Sequence, residues 1–391
     1  MKKLAIIVTH PIQYNVPVFQ LLAQNCHLKV FYTWGKEGVQ KKYDPDFKKF
    51  FEWDIPLLEG YNYELLENIA SQPGSHHGKG INNPAIIEKV LDFNPDAILV
   101  YGWIYQSHLK VMRFFKGKVP IWFRGDSTLL DSSKGIKSLL KKIYLRWIYK
   151  DVDLGFYVGQ HNKAYFNRYG LKDQHLVFAP HAIDNDRFAE DRQDEVDLLR
   201  KELAIENEDI LILFAGKLEP KKNPALLLET FIKLNNEPSP KNKVHLLFVG
   251  NGILEQELKM RVESTKSKNV HFIDFQNQTK MPVFYQACDI FCLPSAGPGE
   301  TWGLAINEAM AAGKAIIASN KAGGAIDLVK DGFNGYVFTS NDMEELKYKL
   351  SLLITQPTLL KSFGEQSRAI INHWSFKQQV NQIIKTLNAT D

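Results

Sequence analysis

The chain has 391 residues, 45% of them hydrophobic and 24% charged, with a formal net charge of +4. This composition excludes a disordered or collagen-like chain, and the small net charge gives no reason to expect a nucleic-acid partner. Three cysteines are too few for a disulfide framework, which favours the reducing cytoplasm. At about 100–200 residues per domain, the length predicts two domains.

Short apolar segments alternate with longer amphipathic ones, which is typical of parallel strands covered by helices on both faces. Two series of predicted strands follow each other: 4–9, 28–33, 97–101, 119–123, 154–158 and 176–179, then 210–215, 244–249, 270–273, 290–293, 315–318 and 336–338. The acidic segment 190–197 separates the two series. We predict an α/β protein with Rossmann-like domains over 1–189 and 190–372 and a C-terminal helix over 373–391.

A basic amphipathic segment lies within the first domain. Its apolar residues stand at positions 136, 139, 140, 143, 144, 147 and 148, and its cations at 134, 137, 141, 142, 146 and 150. Such a pattern is typical of an interfacial helix that contacts an anionic membrane surface. It is also typical of a helix whose apolar stripe packs under the sheet while its lysines are solvated, and this second interpretation is the more common one for such a stripe. The sequence leaves both interpretations open.

A loop rich in glycine and proline joins the predicted strand 290–293 to a predicted helix that starts near Leu304. Parallel sheets bind ligands at the carboxyl ends of their strands, and the backbone N–H groups of a helix start suit a diphosphate. Glu300 and Glu308 stand eight residues apart and could accept hydrogen bonds from sugar hydroxyls. The candidate donor-binding residues here are Thr301, Trp302, Gly303, Leu304 and Glu308.

A second candidate loop follows the predicted strand 210–215. Gly216 and Lys217 come directly after that strand, and Lys222 stands five residues further on, at a new helix start. A lysine cluster alone is typical of a solvated turn, but this spacing also suits an anion site. Together the two loops indicate a nucleoside-diphosphate sugar as the ligand.

These segments stand in the order seen in the family-four retaining glycosyltransferases of the GT-B fold, known as glycosyl transferases group 1. The chain resembles this family over about 175–391, through Gly216-Lys-Leu-x-x-x-Lys222-Asn, Val249-Gly-Asn-Gly252, Ala287-Cys-Asp289 with Pro294-Ser295, Glu300-x7-Glu308 and Gly332-x-Asn334-Gly335. The resemblance implies two Rossmann-like domains facing a central cleft, with the C-terminal helix crossing back to the N-terminal domain.

The resemblance also implies roles for the charged residues. Glu300 would contact the donor sugar, and Glu308 would bind the ribose. Lys217 and Lys222 would hold the diphosphate. Many relatives carry arginine where Lys217 stands, so one bidentate contact is lost while the charge is kept.

The N-terminal half resembles the family only loosely, and there the sequence predicts acceptor-side candidates. His10 and Gln13 follow the first strand, and His10 either contacts a substrate or stabilises its loop. Arg124 stands where many relatives place a histidine; it cannot act as a base but could stabilise the leaving phosphate, with Asp126 as its ion-pair partner. A purely structural Arg124–Asp126 pair is the alternative. His181 lies either in a hinge or along the cleft.

The predicted function is retaining, metal-independent sugar transfer from a nucleoside-diphosphate sugar to a hydroxyl of a carbohydrate or lipid-linked glycan. Glu300, Arg124 and Lys222 are the expected catalytic residues, and cell-surface polysaccharide or glycoconjugate synthesis is the expected setting. We expect no cofactor, because two lysines and a helix start already oppose the diphosphate. The location would be cytoplasmic, at the inner membrane face if the basic helix binds lipid. The alternatives are an epimerase or hydrolase on the same fold, and a non-catalytic nucleotide-sugar-binding protein.

Overall fold

The strands coincide with short runs of Val, Ile, Leu and Phe. A computed structural model of the chain describes residues 1–39, 42–44, 49–51, 53–132, 135–235 and 243–390. Its strands are β1 (Lys3–Val8), β2 (His27–Tyr32), β3 (Lys42–Asp44), β4 (Lys49–Phe51), β5 (Tyr63–Leu65), β6 (Ala97–Tyr101), β7 (Ile121–Arg124), β8 (Leu154–Tyr157), β9 (Leu176–Phe178), β10 (Ile210–Ala215), β11 (Val244–Val249), β12 (Val270–Ile273), β13 (Ile290–Leu293), β14 (Ala315–Ser319) and β15 (Gly335–Phe338).

Helices alternate with these strands, which accounts for the parallel pairing. They are α1 (Val16–Ala23), α2 (Ile86–Phe93), α3 (Gln106–Phe115), α4 (Ile136–Tyr149), α5 (Gln160–Arg168), α6 (Asn185–Ala189), α7 (Gln193–Glu202), α8 (Pro224–Asn235), α9 (Glu255–Thr265), α10 (Met281–Ala287), α11 (Leu304–Ala311), α12 (Ala325–Leu328), α13 (Met343–Ile354), α14 (Pro357–Ile371) and α15 (Phe376–Asn388). Single 3₁₀ turns occupy Gly35–Val39, Asp173–His175 and Pro220–Lys222.

The chain forms two compact units. Unit 1 comprises 1–42, 55–181 and 376–391, and its parallel sheet has the order β5-β2-β1-β6-β7-β8-β9. Helix α15 belongs to this unit, where it contacts α1 and β9. The α/β architecture predicted for the N-terminal half is confirmed.

Unit 2 comprises 43–54 and 182–375, with a parallel sheet of order β12-β11-β10-β13-β14-β15. Its core packs β10 and β11 against α8, with Phe214, Phe248 and Phe231 fully buried. Burial of a side chain of this size stabilises the fold by about 1.5–3 kcal/mol. Because β10 pairs directly with β13, the loops that follow these two strands start side by side at one edge of the sheet.

The units divide at 181/182, whereas the sequence placed the boundary at 189/190. Helix α6 lies between these positions and contacts α10 and α11 of unit 2, which draws it into that unit. The segment 43–54 also joins unit 2, where the Asp54 carboxylate accepts a hydrogen bond from Thr279 N at 3.1 Å. A boundary read from composition cannot anticipate this excursion, because it depends on a contact between residues far apart in sequence.

Helix α4 presents most of its apolar stripe to solvent, so the interpretation that the stripe packs under the sheet is wrong. Of the apolar positions named above, only Ile148 is buried; Leu145 and Tyr149 supply the rest of the buried contact. The six exposed positions are Ile136, Leu139, Leu140, Ile143, Tyr144 and Trp147. Within the described residues, no helix has the length and apolarity needed to span a bilayer.

Candidate functional site

The two loops predicted to bind the donor meet at the carboxyl edge of the unit 2 sheet. The backbone N–H groups of Ala296 and Gly297 both donate to the carbonyl oxygen of Lys221, at 2.8 and 3.2 Å. Ser295 also holds this loop in place. Its carbonyl oxygen accepts hydrogen bonds from the hydroxyl groups of Ser319 and Ser340, at 2.5 and 3.1 Å. The loop after β13 therefore has a fixed position beside the turn that carries Lys222.

Lys222 and Glu300 form an ion pair at this junction. The Lys222 Nζ lies 2.7 Å from Glu300 Oε2, and their side chains are only 17% and 11% exposed. The Ser295 hydroxyl donates to the same carboxylate oxygen at 3.4 Å. An ammonium group has three N–H donors and Glu300 takes one, so Lys222 can hold the carboxylate and an anionic ligand together. The structure thus brings together two residues that the sequence assigned to the same donor.

Gly216 and Gly250 provide the close backbone approach on which this geometry depends. Gly216 has φ = +146°, and a Cβ there would lie 3.3 Å from Lys222 Cδ. A Cβ on Gly250 would lie 2.3 Å from the carbonyl oxygen of Gly216, inside van der Waals contact. Glycine is favoured at Gly216 by its positive φ, and at Gly250 also because a side chain would push the loops after β10 and β11 apart. Lys217 follows directly after Gly216, at the end of β10.

The start of α11 is held by the segment before α12. Gly323 N donates to Glu300 O at 3.1 Å, and Gly324 N donates to Trp302 O at 2.8 Å. The Trp302 indole donates to Asn307 Oδ1 at 2.8 Å, within the first turn of the helix. Gly303 forms the helix N-cap with φ = +89°, where a Cβ would lie 2.8 Å from a Leu293 methyl group. Thr301 and Leu304 are the neighbours of Trp302 and Gly303 in sequence, so the same hydrogen bonds restrict their backbone positions.

Glu308 lies on α11 with a tyrosine as its partner. Its side chain is buried, and Tyr285 Oη donates to Glu308 Oε2 at 2.7 Å. Tyr285 is itself buried on α10, where its ring contacts Phe188 at 5.5 Å between centroids. Sequence reasoning missed Tyr285, although a tyrosine in a helix this apolar needs a buried hydrogen-bond partner. The phenol fixes one carboxylate oxygen and so helps to set the orientation of the Glu308 carboxylate.

In unit 1, His10 and Gln13 lie between β1 and α1, where both side chains are part-buried. The His10 Nδ1 lies 2.9 Å from the Thr9 hydroxyl, and its ring meets Trp34 edge to face at 5.3 Å. These contacts support the loop-stabilising interpretation of His10.

Arg124 ends β7 and is buried. Its Nη1 and Nη2 donate to the carbonyls of Ala179 and Pro180, at 2.8 and 3.0 Å. The guanidinium thus ties the end of β7 to the segment after β9, which gives Arg124 a positioning role in unit 1. Burial lowers the pKa of Arg124, against the smaller opposing effects of Tyr101 and Asp126.

His181 is held neutral. Burial first, and then the Arg124 charge, lowers the pKa of His181 to about 4, while Asp126 opposes the shift. A neutral imidazole can accept or donate one hydrogen bond but cannot balance a phosphate charge at pH 7.

A cavity of about 240 Å³ opens at the carboxyl ends of β6 and β7 in unit 1. Asp126 and Ser127 line it together with aromatic residues that the sequence did not single out: Trp103, Tyr105, Phe123, Tyr149 and Phe166. Aromatic faces beside a carboxylate and a hydroxyl can bind a ring that has both apolar C–H and polar O–H edges.

Among the described residues, no three His, Cys, Asp or Glu side chains are grouped so as to hold a metal ion. The expectation of metal-independent chemistry stays a prediction. Cys288 and Cys292 are buried, and burial raises the pKa of Cys288 to about 12, so neither thiol supplies a thiolate ligand at neutral pH.

Comparison with known proteins matches residues 195–370 to the family described as glycosyl transferases group 1. The chain is 27% identical over 206 residues to D-inositol 3-phosphate glycosyltransferase 2 of Catenulispora acidiphila, covering 51% of this chain and 47% of that protein. It is 32% identical over 148 residues to the lipopolysaccharide 1,2-N-acetylglucosaminetransferase of Salmonella typhimurium, covering 36% of this chain and 38% of that one. The chain spans about half the length or less of these curated relatives.

The fold resembles that of Anabaena HepE, crystallised in complex with UDP, with a TM-score of 0.74 and 19% identity over 100% of both chains. These matches confirm the predicted GT-B fold class and the resemblance to glycosyl transferases group 1. The match over 195–370 falls on the unit that carries Lys222, Glu300 and Glu308.

Proposed function

We propose that this chain, whose residues 195–370 match glycosyl transferases group 1, transfers a sugar from a nucleoside-diphosphate sugar to a hydroxyl acceptor. One observation carries the proposal: the loops after β10 and β13 meet, and Lys222 contacts Glu300 where they do. A cation, a carboxylate and a helix start then face one ligand that has both phosphates and hydroxyls.

Each residue has a part in the proposed reaction. Lys217 and Lys222 offset the charge of the diphosphate, which grows on its leaving oxygen as the bond to the sugar breaks. Glu308, oriented by Tyr285, accepts hydrogen bonds from the ribose. Glu300 orients the sugar through its hydroxyls while Lys222 holds its carboxylate.

The proposed stereochemistry is retention. The acceptor oxygen bonds to the anomeric carbon from the face that the diphosphate leaves, the bond to the diphosphate breaks, and the acceptor proton passes to a phosphate oxygen. The protein then supplies positioning and charge stabilisation. No divalent ion takes part in this proposal, because the lysines and the α11 start offset the phosphate charge.

The experiment that tests the proposal presents the chain with a panel of nucleotide sugars and candidate acceptors, with and without EDTA. UDP-sugars come first, because the HepE crystals contain UDP. We expect a glycoside product with the donor's anomeric configuration, read by NMR, and activity that survives EDTA. Inverted product, or activity lost in EDTA and restored by magnesium, contradicts the stereochemistry or the metal-free site respectively.

The same assay separates the alternative functions. An epimerase converts the sugar nucleotide without any acceptor, and a hydrolase releases free sugar at the full rate without one. A binding protein holds the nucleotide sugar and never turns it over. A transferase shows only slow hydrolysis until an acceptor is added.

We also propose a place for the reaction: synthesis of a cell-surface polysaccharide or glycoconjugate at the cytoplasmic face of a membrane. The match to a lipopolysaccharide transferase over 36% of this chain supports this setting, and so does the exposed apolar stripe of α4. The acceptor would then be a carbohydrate or a lipid-linked glycan.

A further inference from the structure

Helix α4 carries the largest run of exposed apolar side chains on any one described element. We call its exposed side the α4 face; its members Ile136, Leu139, Leu140, Ile143, Tyr144 and Trp147 are 79%, 57%, 60%, 59%, 43% and 42% exposed. In unit 2, by contrast, Leu198 and Met260 are exposed on two different helices, α7 and α9, and Ile253 in the turn before α9. Scattered apolar residues are ordinary on protein surfaces, whereas a contiguous patch marks a contact surface.

The helix that carries the α4 face is strongly basic. Lys137, Lys141, Arg146 and Lys150 are exposed on the same helix, and the segment 136–150 has no acidic residue. The pKa of Lys142 is lowered, first by the charge of Arg168 and then by that of Arg146. This lowering is the expected result where nearby cations outweigh acidic groups.

Helix α3 and the turn that follows it extend the same surface. The Arg113 guanidinium lies 3.8 Å from the centre of the Trp147 ring, and the Lys118 ammonium lies 3.8 Å from the centre of the exposed Phe114 ring. Like α4, helix α3 has no acidic residue. These contacts place positive groups directly beside exposed aromatic rings. Such a combination suits the boundary between lipid tails and headgroups, where both apolar and charged groups are accommodated.

The aromatic residues connect this surface to the cavity of unit 1. Tyr144 on the α4 face contacts Trp103 at 5.9 Å between ring centroids. Trp103 also lines the 240 Å³ cavity at the ends of β6 and β7, as does Tyr149 at the end of α4. The docking surface and the cavity therefore share a wall.

We propose that the α4 face and the adjoining cations of α3 dock unit 1 on an anionic lipid bilayer, beside the cavity that would receive the acceptor. Charge complementarity selects this occupant. A cytosolic protein partner with an apolar face would not require a rim that is positive on two helices. The inference deepens the proposed function, because it makes the acceptor a glycan carried on a membrane lipid. The docking itself can be measured without any transfer assay.

The first test is flotation of the full chain with vesicles of phosphatidylcholine alone or mixed with phosphatidylglycerol. We expect flotation with the anionic vesicles at low salt, release at high salt, and none with phosphatidylcholine alone. Absence of flotation with anionic vesicles at low salt overturns the proposal, and so does equal binding to both compositions.

Two variants assign the binding to this surface. Lys137→Gln/Lys141→Gln/Arg146→Gln removes three cations and is expected to weaken anionic-vesicle binding about a hundredfold. Leu139→Ser/Ile143→Ser keeps the charge and removes apolar insertion, and at least a tenfold loss is expected. The matched controls are Lys201→Gln/Lys266→Gln/Lys268→Gln and Leu198→Ser/Met260→Ser, which change exposed residues of unit 2 and leave binding unchanged.

Two further readouts separate this inference from its rivals. Sedimentation without lipid tests for a second copy of the chain on the α4 face; a dimer that Leu139→Ser/Ile143→Ser dissociates overturns the membrane assignment. Donor hydrolysis is measured on the same variants and is expected to equal that of the unaltered chain. If vesicle binding is lost and donor hydrolysis is kept, docking is confirmed; absence of donor turnover in every protein contradicts the proposed function alone.

Discussion

The carboxyl edges of the two sheets are built alike but use their polar residues differently. In unit 2, the loops after β10 and β13 bring Lys222 and Glu300 together as an ion pair. In unit 1, Arg124 donates to two backbone carbonyls and His108 contacts Gly102 O and the Thr33 hydroxyl, so these groups are used within the fold. The comparison teaches that charged residues form a candidate site in unit 2, while in unit 1 aromatic surfaces form the cavity.

The largest expected effect comes from adding a side chain where Gly323 packs against the backbone of the 300–303 loop. A Cβ on Gly323 would lie 1.8 Å from Thr301 O, so Gly323→Ala must displace the 300–303 loop. We expect the free energy of unfolding to fall by about 3 kcal/mol, the upper part of the range for overpacking. Affinity for the product nucleoside diphosphate should fall with it. Urea unfolding and calorimetric titration measure the two effects.

The control for this substitution lies in unit 1. A Cβ on Gly74 would meet no atom within 4 Å, so Gly74→Ala should change stability by less than about 0.5 kcal/mol. If the two alanine variants prove equally stable and bind nucleotide equally well, the tight loop contact is not what shapes the site.

The next prediction concerns His108, a buried polar residue of unit 1 whose ring is hydrogen-bonded within the fold. Burial lowers the pKa of His108 to about 4 from its ordinary 6.5, so the neutral ring is favoured in the folded chain. Its contribution to stability is complete above pH 6.5 and is lost as the pH falls from 6.5 toward 4, because the unfolded chain binds the proton more tightly. By pH 5 the loss is about 2 kcal/mol.

His108→Gln removes this titration. The difference in unfolding free energy between pH 7 and pH 5 should therefore shrink by about 2 kcal/mol in the variant, measured by urea unfolding at each pH. His76→Gln, at an exposed histidine, is the control and should keep the pH dependence of the unaltered chain. An unchanged pH dependence in His108→Gln would contradict the neutral, internally bonded ring.

A smaller effect is expected from the tyrosine that orients Glu308. Tyr285→Phe removes the hydrogen bond of 2.7 Å and leaves the ring packing in place. We expect nucleoside-diphosphate affinity to fall about tenfold, equal to about 1.4 kcal/mol, with the rate at saturating donor unchanged. A fall in that rate without a loss of affinity would show that Tyr285 acts on the sugar transfer and not on nucleotide binding.

The sequence was informative where function depends on local spacing. Gly216, Lys222 and Glu300 follow predicted strands, and parallel topology alone brings such strand ends to one edge. Glu308 could be placed on a helix from its neighbours. Tyr285 could not be found in this way, because its meeting with Glu308 depends on how α10 packs on α11.

Two further features could not be predicted from the sequence: which face of α4 is buried, and the assignment of 43–54 to unit 2. Both depend on contacts between residues far apart in the chain. Helix α4 has two apolar sets, and Leu145 with Tyr149 is the smaller one. Yet this set packs on the unit 1 core, together with Ile148 alone of the larger set. Asp54 contacts Thr279 across more than two hundred residues of sequence, and segment 43–54 belongs to unit 2. A sequence pattern shows the periodicity of apolar residues. Which apolar residues become buried depends on the shape of the surface that the segment packs against.

The central claim is that Glu308 and Glu300 bind different parts of one donor. Calorimetric titration of Glu308→Ala, Glu300→Ala and Lys222→Ala with the product nucleoside diphosphate tests it most directly. We expect Glu308→Ala and Lys222→Ala to lose about ten- to a hundredfold in affinity, as for a lost charge-assisted hydrogen bond. Glu300→Ala should keep nearly full affinity for the diphosphate while transfer from the whole donor fails. Equal losses of nucleotide affinity in Glu300→Ala and Glu308→Ala would contradict the account.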